Sequence, residues 1–124
     1  MSYIIYFDVE TGGVEPQHPT IQLAAIATDS DGTEVASFER NIAFDVTHCD
    51  PAALAMNHFE QSAWTDAKAP YIVAAQFAMW MEPYRSVQML SKRTGKPYTV
   101  AQLAGYNALT FDLPRLRALF GDAF

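Results

Sequence analysis

Alternation of apolar and polar side chains predicts three strands in the first part of the chain. The segment "YIIYFDV", residues 3–9, is rich in β-branched and aromatic residues and is typical of a central strand. The segment "TIQLAAIATDSDGTEVASFERNIAF", residues 20–44, indicates two more strands joined at "DSDG", where aspartate, serine and glycine favour a tight turn. Together the two segments predict an antiparallel meander of three strands.

Helical signals dominate the middle of the chain. The segment "CDPAALAMNHF", residues 49–59, predicts a short helix with Asp50 as its cap and Pro51 at its first position. From about residue 70 to residue 93 the apolar residues recur at helical spacing, and we expect Pro83 to kink or split this second helix.

The last part of the chain contains one further strand and one further helix. The segment "VAQLAGYNA" predicts a short buried strand that ends at Gly105. The segment "LTFDLPRLRALFG" predicts a final helix, with Pro114 tolerated only in its first turn. The order β-β-β-α-β-α indicates a mixed α/β sheet and resembles the beginning of a ribonuclease H-like arrangement.

Composition narrows the classes of protein that fit. The chain has 124 residues, half of them hydrophobic, which suits one compact domain over residues 1–124. Its single cysteine, Cys49, fits a reducing compartment, and no apolar run is long enough to cross a bilayer. We therefore expect a cytoplasmic protein with no membrane partner.

The net charge of −6 argues against a protein that holds nucleic acid by a broad basic surface. It does not exclude a nuclease, because carboxylates that hold divalent cations place the positive charge on the metal.

Two acids stand out in the first strand. Side chains alternate along a strand, so Asp8 and Glu10 share one face while Val9 points to the other. Two carboxylates at this spacing repel each other unless a cation or a proton lies between them. Gly12 and Gly13 follow at once and allow close approach of another molecule to the main chain. The alternative is a strand that ends in solvent, followed by an ordinary turn.

Asp112 is a third candidate carboxylate. It begins the last helix, where the backbone dipole favours a negative side chain, and this alone is an ordinary arrangement. If the preceding short strand ends at the same sheet edge as the first strand, however, the turn after Gly105 brings Asp112 towards Asp8 and Glu10. The sequence then predicts a site of three carboxylates.

The segments "FDVETGG" and "GYNALTFDLPRL" resemble the first two motifs of the DEDD-type 3′–5′ exonucleases. This family includes polymerase proofreading exonucleases, ribonuclease T and oligoribonuclease, and the chain is most similar to its DEDDh-like members. The similarity runs from Tyr3 to about Phe120, with "PTIQLAAIATD" and "CDPAALAMNHF" as supporting matches.

The resemblance implies roles for individual residues. Asp8 would be shared by two Mg²⁺ or Mn²⁺ ions, Glu10 would bind the first ion and Asp112 the second. The two ions would activate water and stabilise the leaving 3′ oxygen during phosphodiester hydrolysis.

Substrate-binding residues also follow from the resemblance. Thr11 and Gly12 would approach the terminal nucleotide through backbone groups, His58 stands near the residues with which relatives line the nucleotide pocket, and Asn107 would brace the site. Apart from the resemblance, Phe59 is available for stacking if a single strand binds, and it completes the expected substrate-binding set. Tyr106 stands where many relatives have histidine, and we interpret it as structural.

The family's third motif, a histidine followed by an aspartate in a later helix, is absent. No histidine follows Asp112, and His18, His48 and His58 all precede it. We therefore expect the chain to be poorly active as it stands and to be the N-terminal portion of a longer, C-terminally incomplete exonuclease domain. Completion by another chain, and a non-catalytic module that binds nucleic acid or a polymerase, are the alternatives. The expected partner is the 3′ end of a single strand, with a polymerase or a second copy of the chain as further candidates.

Basic residues cluster in "RSVQMLSKRTGK", residues 85–96. A solvated helix face explains them as well as a contact with single-stranded backbone does, and Arg115 and Arg117 on the last helix leave the same two alternatives.

Overall fold

A four-stranded mixed sheet and a separate two-stranded hairpin organise the fold. The computed structural model describes residues 2–105 and 112–120, without the side chains of residues 113 and 120. Within these residues the strands are β1 Ile4–Thr11, β2 Thr20–Thr28, β3 Glu34–Asn41, β4 Arg85–Leu90, β5 Pro97–Ala101 and β6 Leu103–Ala104. The helices are α1 Pro51–Met56, α2 Pro70–Met81 and α3 Leu113–Phe120.

The main sheet has the order β3-β2-β1-β6, and only the pair β1–β6 is parallel. The predicted antiparallel meander of three strands is confirmed. Its second turn forms as expected, because the Oδ1 atom of Asp29 accepts hydrogen bonds from the backbone N–H groups of Asp31 and Thr33. Gly32 adopts a φ of +80° there, which glycine tolerates without steric cost. The fold class is therefore the predicted mixed α/β, ribonuclease H-like sheet.

One face of this sheet forms the hydrophobic core. Ile5, Phe7 and Val9 of β1 point to the face that α2 and α3 cover, and all three are buried. Helix α2 contributes Val73 and Phe77 to the core, while α3 contributes Leu116. The helices therefore fix which side of β1 is closed, and the side chains between the core residues project from the opposite, open face.

The first two helices begin as expected from the sequence. The Asp50 side chain accepts a hydrogen bond from the N–H of Ala52, with Pro51 at the first position of α1. Pro70 likewise stands at the first position of α2, but the preceding residue, Ala69, makes no side-chain cap hydrogen bond. Pro114 lies in the first turn of α3, the only part of a helix that accepts proline without loss of a hydrogen bond.

The prediction of a helix over residues 70–93 is wrong beyond Met81. Helix α2 ends there, a 3-10 turn covers Glu82–Tyr84, and β4 and β5 then form an antiparallel hairpin. Pro83 has no N–H for the helical ladder, so it ends the helix instead of kinking it. The segment "SKRTGK" then provides the hairpin turn, in which Gly95 has a φ of +70°. The predicted strand before Gly105 is divided in two, since residues 100–101 belong to β5 and only Leu103–Ala104 pair with β1.

In the described part of the chain, none of the helices combines the length and the apolar character that a bilayer crossing requires.

Candidate functional site

Asp8 and Glu10 lie together on the open face of β1. Asp8 is exposed and Glu10 is partly buried, whereas Val9 between them is buried in the core. The prediction that the two acids share one face is confirmed. Asp8 stands opposite Ala24 of β2, whose small side chain leaves the carboxylate accessible.

Asp112 lies immediately before α3 and is only 4% exposed. The Nη2 atom of Arg115, in the first turn of α3, donates a hydrogen bond of 2.7 Å to the carbonyl oxygen of Val14. This bond ties the start of α3 to the loop that follows β1. The helix consequently brings Asp112 to the end of the strand that carries Asp8 and Glu10.

The charges of the three carboxylates act on one another. Burial raises the pKa of Glu10 above its ordinary value, and the neighbouring charges of Asp8 and Asp112 raise it further. Burial also raises the pKa of Asp112 to about 6, with a second contribution from Asp8, while the Arg115 guanidinium opposes both. The charge of Asp8 therefore acts on both Glu10 and Asp112, while the assignment of the three acids to one site stays a prediction.

The donor set suits a hard divalent cation. Mg²⁺ and Mn²⁺ prefer carboxylate oxygens, and a cation between these acids would relieve their repulsion. Among residues 2–105 and 112–120, however, no three histidine, cysteine, aspartate or glutamate side chains are arranged to close around one ion. Carboxylate side chains reorient when a cation binds, and Asp8, Glu10 and Asp112 would have to do so to close around one ion.

The open face beside Asp8 forms a groove of about 380 Å³. Its floor contains side chains that alternate with the core residues of the three antiparallel strands, and its lining includes Tyr6, Asp8, Ala24, Ile26, Ser37, Glu39 and Gly105. The groove thus extends from Asp8 over the open side of the sheet.

The loop after β1 is packed against the protein. The Gly12 N–H donates to Pro19 O at 2.9 Å, and its carbonyl oxygen accepts from the N–H of Asp50 at 2.6 Å. A Cβ atom at Gly12 would overlap Cys49, and one at Gly13 would overlap the His18 ring. The sequence explained both glycines by the approach of a ligand, whereas the structure explains them by the close packing of Cys49 and His18.

Thr11 is buried and fixed by two kinds of contact. Its Oγ1 donates to Gly13 O at 2.7 Å, and its carbonyl oxygen accepts from Asn57 Nδ2 at 2.9 Å. Asn57 thereby joins the end of α1 to the end of β1. The sequence reasoning missed Asn57, because its place near the end of the predicted helical segment gave no signal for a contact with a residue so distant in sequence.

His58 and Phe59 follow Asn57 but differ in environment. His58 is exposed, with a φ of 55°, and it is the only non-glycine residue with positive φ among those described. Phe59 is half-buried between Phe44 and Trp64, with ring centroids 5.1 and 5.0 Å away. The proposed stacking role of Phe59 therefore competes with packing inside the protein.

Of the remaining candidate residues, the structure describes the two histidines but not Asn107. His18 accepts a hydrogen bond at Nδ1 from the N–H of Glu15, and His48 lies 3.8 Å from Asp45. Neither histidine contributes to the pKa shifts of Glu10 and Asp112. Asn107 lies outside the described residues, so its substrate-binding role stays a prediction, as do those of Thr11, Gly12, His58 and Phe59.

Comparison with solved structures finds Exonuclease I of E. coli. The complex with a dT13 oligonucleotide has a TM-score of 0.74 and 22% sequence identity, over 97% of this chain and 24% of that chain. The zinc-bound complex of Exonuclease I with single-stranded DNA has a TM-score of 0.74 and 20% identity, with the same coverage of 97% and 24%. The ExoI/SSB-Ct complex has a TM-score of 0.71 and 21% identity, again over 97% and 24%.

These comparisons show the fold. The chain spans about a quarter of the length of the Exonuclease I chains that it matches. No protein-family model matches it, and no curated protein matches its sequence.

Proposed function

We propose that this chain is a divalent-metal-dependent 3′–5′ exonuclease domain of the DEDD type, acting at the 3′ end of single-stranded nucleic acid. The observation that carries the proposal is the electrostatic coupling of three acids: burial raises the pKa of Glu10 and of Asp112, the charge of Asp8 raises both further, and Asp112 adds to the shift of Glu10. The similarity in fold to Exonuclease I, solved with dT13 and dA16 oligonucleotides, supports the same class of substrate.

In this proposal the three carboxylates hold Mg²⁺ or Mn²⁺. When bound, the cation would lower the pKa of a water molecule and stabilise charge on the leaving oxygen. Other residues of the chain hold the segments that carry the carboxylates in position. Asn57 and the Thr11 hydroxyl hold the end of β1, and Arg115 holds Asp112 near it. In the proposal, this bracing would keep acids from two distant parts of the chain close together.

The least well-defined feature of the site is the group that would accept a proton from the attacking water. A general base must lie within hydrogen-bond reach of the attacking water. His48 and His58 are exposed on the connection around α1, and His18 accepts a hydrogen bond from the β1–β2 loop. Since no histidine follows Asp112, we expect slow hydrolysis by these 124 residues.

A nuclease assay tests the proposal. The substrates are 20-nucleotide single strands of DNA and RNA labelled at either end, incubated with enzyme in excess and with Mn²⁺, Mg²⁺ or EDTA. We expect metal-dependent stepwise shortening from the 3′ end, with loss of activity in Asp8→Asn and full activity in Asp31→Asn, which changes an exposed turn far from the site. Shortening that persists in Asp8→Asn, or that begins at the 5′ end, would contradict the proposal.

A non-catalytic module is the second candidate function. It is favoured by the lack of a histidine beside the three carboxylates in the described structure, and its partner would be nucleic acid or a polymerase. Metal-dependent binding of a single strand, with no shortening over many hours, would favour this candidate over the exonuclease.

A further inference from the structure

Positive charge is concentrated in the β4–β5 hairpin of this acidic protein. The chain has eight lysine and arginine residues, and Arg85, Lys92, Arg93 and Lys96 all lie in this hairpin. No aspartate or glutamate occurs between Glu82 and Asp112. The hairpin is therefore a basic element in a chain whose net charge is −6.

The turn of the hairpin is ordered by its own hydrogen bonds. Ser91 N–H donates to Lys96 O at 2.9 Å, and Gly95 N–H donates to Ser91 O at 2.8 Å. Lys92, Arg93 and Lys96 are exposed, and none of the three forms an ion pair with another described residue. The turn thus presents three cations at fixed backbone positions, and their charges are not neutralised within the described structure.

Exposed apolar side chains accompany these cations. Tyr98 is 46% exposed and stands directly opposite Met89, which is 45% exposed. Lys96 directly precedes β5 and Tyr98 is the second residue of that strand, so the cation and the ring are two residues apart at the turn end of the hairpin. An exposed aromatic ring next to a cation is the combination that binds a base and its phosphate in single-stranded nucleic acid.

The hairpin lies at the far end of β1 from the carboxylates. The N–H of Tyr3, just before β1, donates to Ser86 Oγ in β4 at 3.0 Å. Strand β1 then runs for eight residues, and Asp8 and Glu10 are in its second half. At about 3.3 Å per residue, the length of β1 separates the hairpin base from the end of β1 by roughly 25 Å. The two sites are therefore spatially separate.

We propose that the β4–β5 hairpin is a second binding site, an arm that holds single-stranded nucleic acid away from the carboxylates. Lys92, Arg93 and Lys96 contact phosphates, and Tyr98 stacks on a base. This proposal rests on the proposed function in one respect: the single strand that the hairpin holds is taken to be the strand whose 3′ end is cut. Nucleic acid is the ligand that matches both features together, because each nucleotide offers a phosphate to a cation and a base to the aromatic ring.

Fluorescence anisotropy with a labelled dT20 strand in EDTA tests the cations. EDTA removes any contribution of bound metal. We expect Lys92→Gln/Lys96→Gln to weaken binding at least ten-fold and to lower the slope of log K against log salt by about 1.4. The control pair Arg40→Gln/Lys68→Gln removes the same charge from exposed positions outside the hairpin. Equal losses in the two pairs, or no loss in the first, would overturn the proposal.

The aromatic contact has its own test in the same assay. Tyr98→Ala is expected to weaken binding about five-fold or more, whereas Tyr98→Phe keeps the stacking surface and the affinity. Tyr71→Ala removes an exposed tyrosine from α2 and should leave binding unchanged. If Tyr98→Ala binds dT20 as tightly as the wild-type protein, the stacking role is wrong.

Competition identifies the class of ligand and separates this proposal from the exonuclease. Unlabelled dT20 should displace the labelled strand, while polyglutamate and phosphatidylserine vesicles at equal charge should not. If polyglutamate or the vesicles displace the labelled strand as effectively as dT20 does, the proposal that the ligand is nucleic acid is overturned. Asp8→Ala should retain binding in EDTA, so loss of hairpin binding and loss of nuclease activity are distinguishable. Thermal unfolding of every variant confirms that each is folded.

Discussion

Arg115 and Val14 are joined by a hydrogen bond of 2.7 Å from the guanidinium Nη2 to the backbone carbonyl oxygen, across 101 positions of sequence. Val14 follows the glycine pair after β1, and Arg115 lies three residues after Asp112. One contact therefore joins the two segments that carry the acids, and the same guanidinium lowers the pKa of Asp112 against the effect of burial.

Replacement of Arg115 by methionine should weaken this junction. We expect Arg115→Met to lower the free energy of unfolding by about 1 kcal/mol, since a hydrogen bond from a charged donor is lost while the aliphatic stem is kept. Urea denaturation measures the change. Arg117→Met is the matched control, because Arg117 is exposed on the same helix. Equal stability of the two variants would contradict the role of Arg115.

The raised pKa of Asp112 predicts a pH-dependent stability in EDTA. The folded state holds the proton up to about pH 6, whereas an ordinary aspartate loses it near 3.8. The stabilising contribution of protonated Asp112 is therefore fully present below about pH 3.8 and is lost as pH rises through about 6.

Asp112→Asn provides the measurement, because asparagine stays neutral at every pH. The variant should match the wild-type protein near pH 4 and exceed it at pH 7 by on the order of 2 kcal/mol in free energy of unfolding. Asp31→Asn, at an exposed turn, serves as the control. A difference between Asp112→Asn and wild type that stays constant from pH 4 to pH 7 would show that Asp112 titrates normally.

Gly12→Ala should destabilise the loop after β1. A Cβ atom at this position would lie 2.9 Å from Cys49 Cβ and closer still to its Sγ atom, so one group must move. We expect a loss of about 1–3 kcal/mol, the usual cost of overpacking.

The second-site variant Cys49→Ala removes the sulfur and should recover part of that loss in combination with Gly12→Ala. Thermal unfolding of the two single variants and the double variant gives the coupling between the positions. Simple additivity would mean that Gly12 is needed for a reason other than the packing of Cys49.

Local patterns explain what the sequence could predict. Alternation along a strand is a local property, so the sequence was enough to predict that Asp8 and Glu10 share one face of β1 and that Val9 lies on the other. The turn at Asp29 and the cap at Asp50 also use side chains that bond within a few residues. Asp112 was predicted near the first motif because a parallel strand ends beside β1, and the β1–β6 pairing confirms that step.

Contacts between distant residues explain what could not be predicted. The bonds of Asn57 to Thr11 and of Arg115 to Val14 exist only after the sheet and helices have packed together. The prediction of a helix where the β4–β5 hairpin forms is wrong for a different reason. Helical apolar spacing after Pro83 competed with β-branched residues in both strands and a glycine turn, and the turn and strand signals prevailed.

The central claim is that Asp8, Glu10 and Asp112 form a metal site, and thermal unfolding with Mn²⁺ tests it most directly. At a concentration 100 times its dissociation constant, a ligand of the folded state adds about 2.7 kcal/mol, which is a rise of several degrees for a domain of this size. We predict that rise on going from EDTA to Mn²⁺ for the wild-type protein and for Asp31→Ala, and its loss in Asp8→Ala and in Asp112→Ala. An equal rise in Asp8→Ala, or none in the wild-type protein, would contradict the claim.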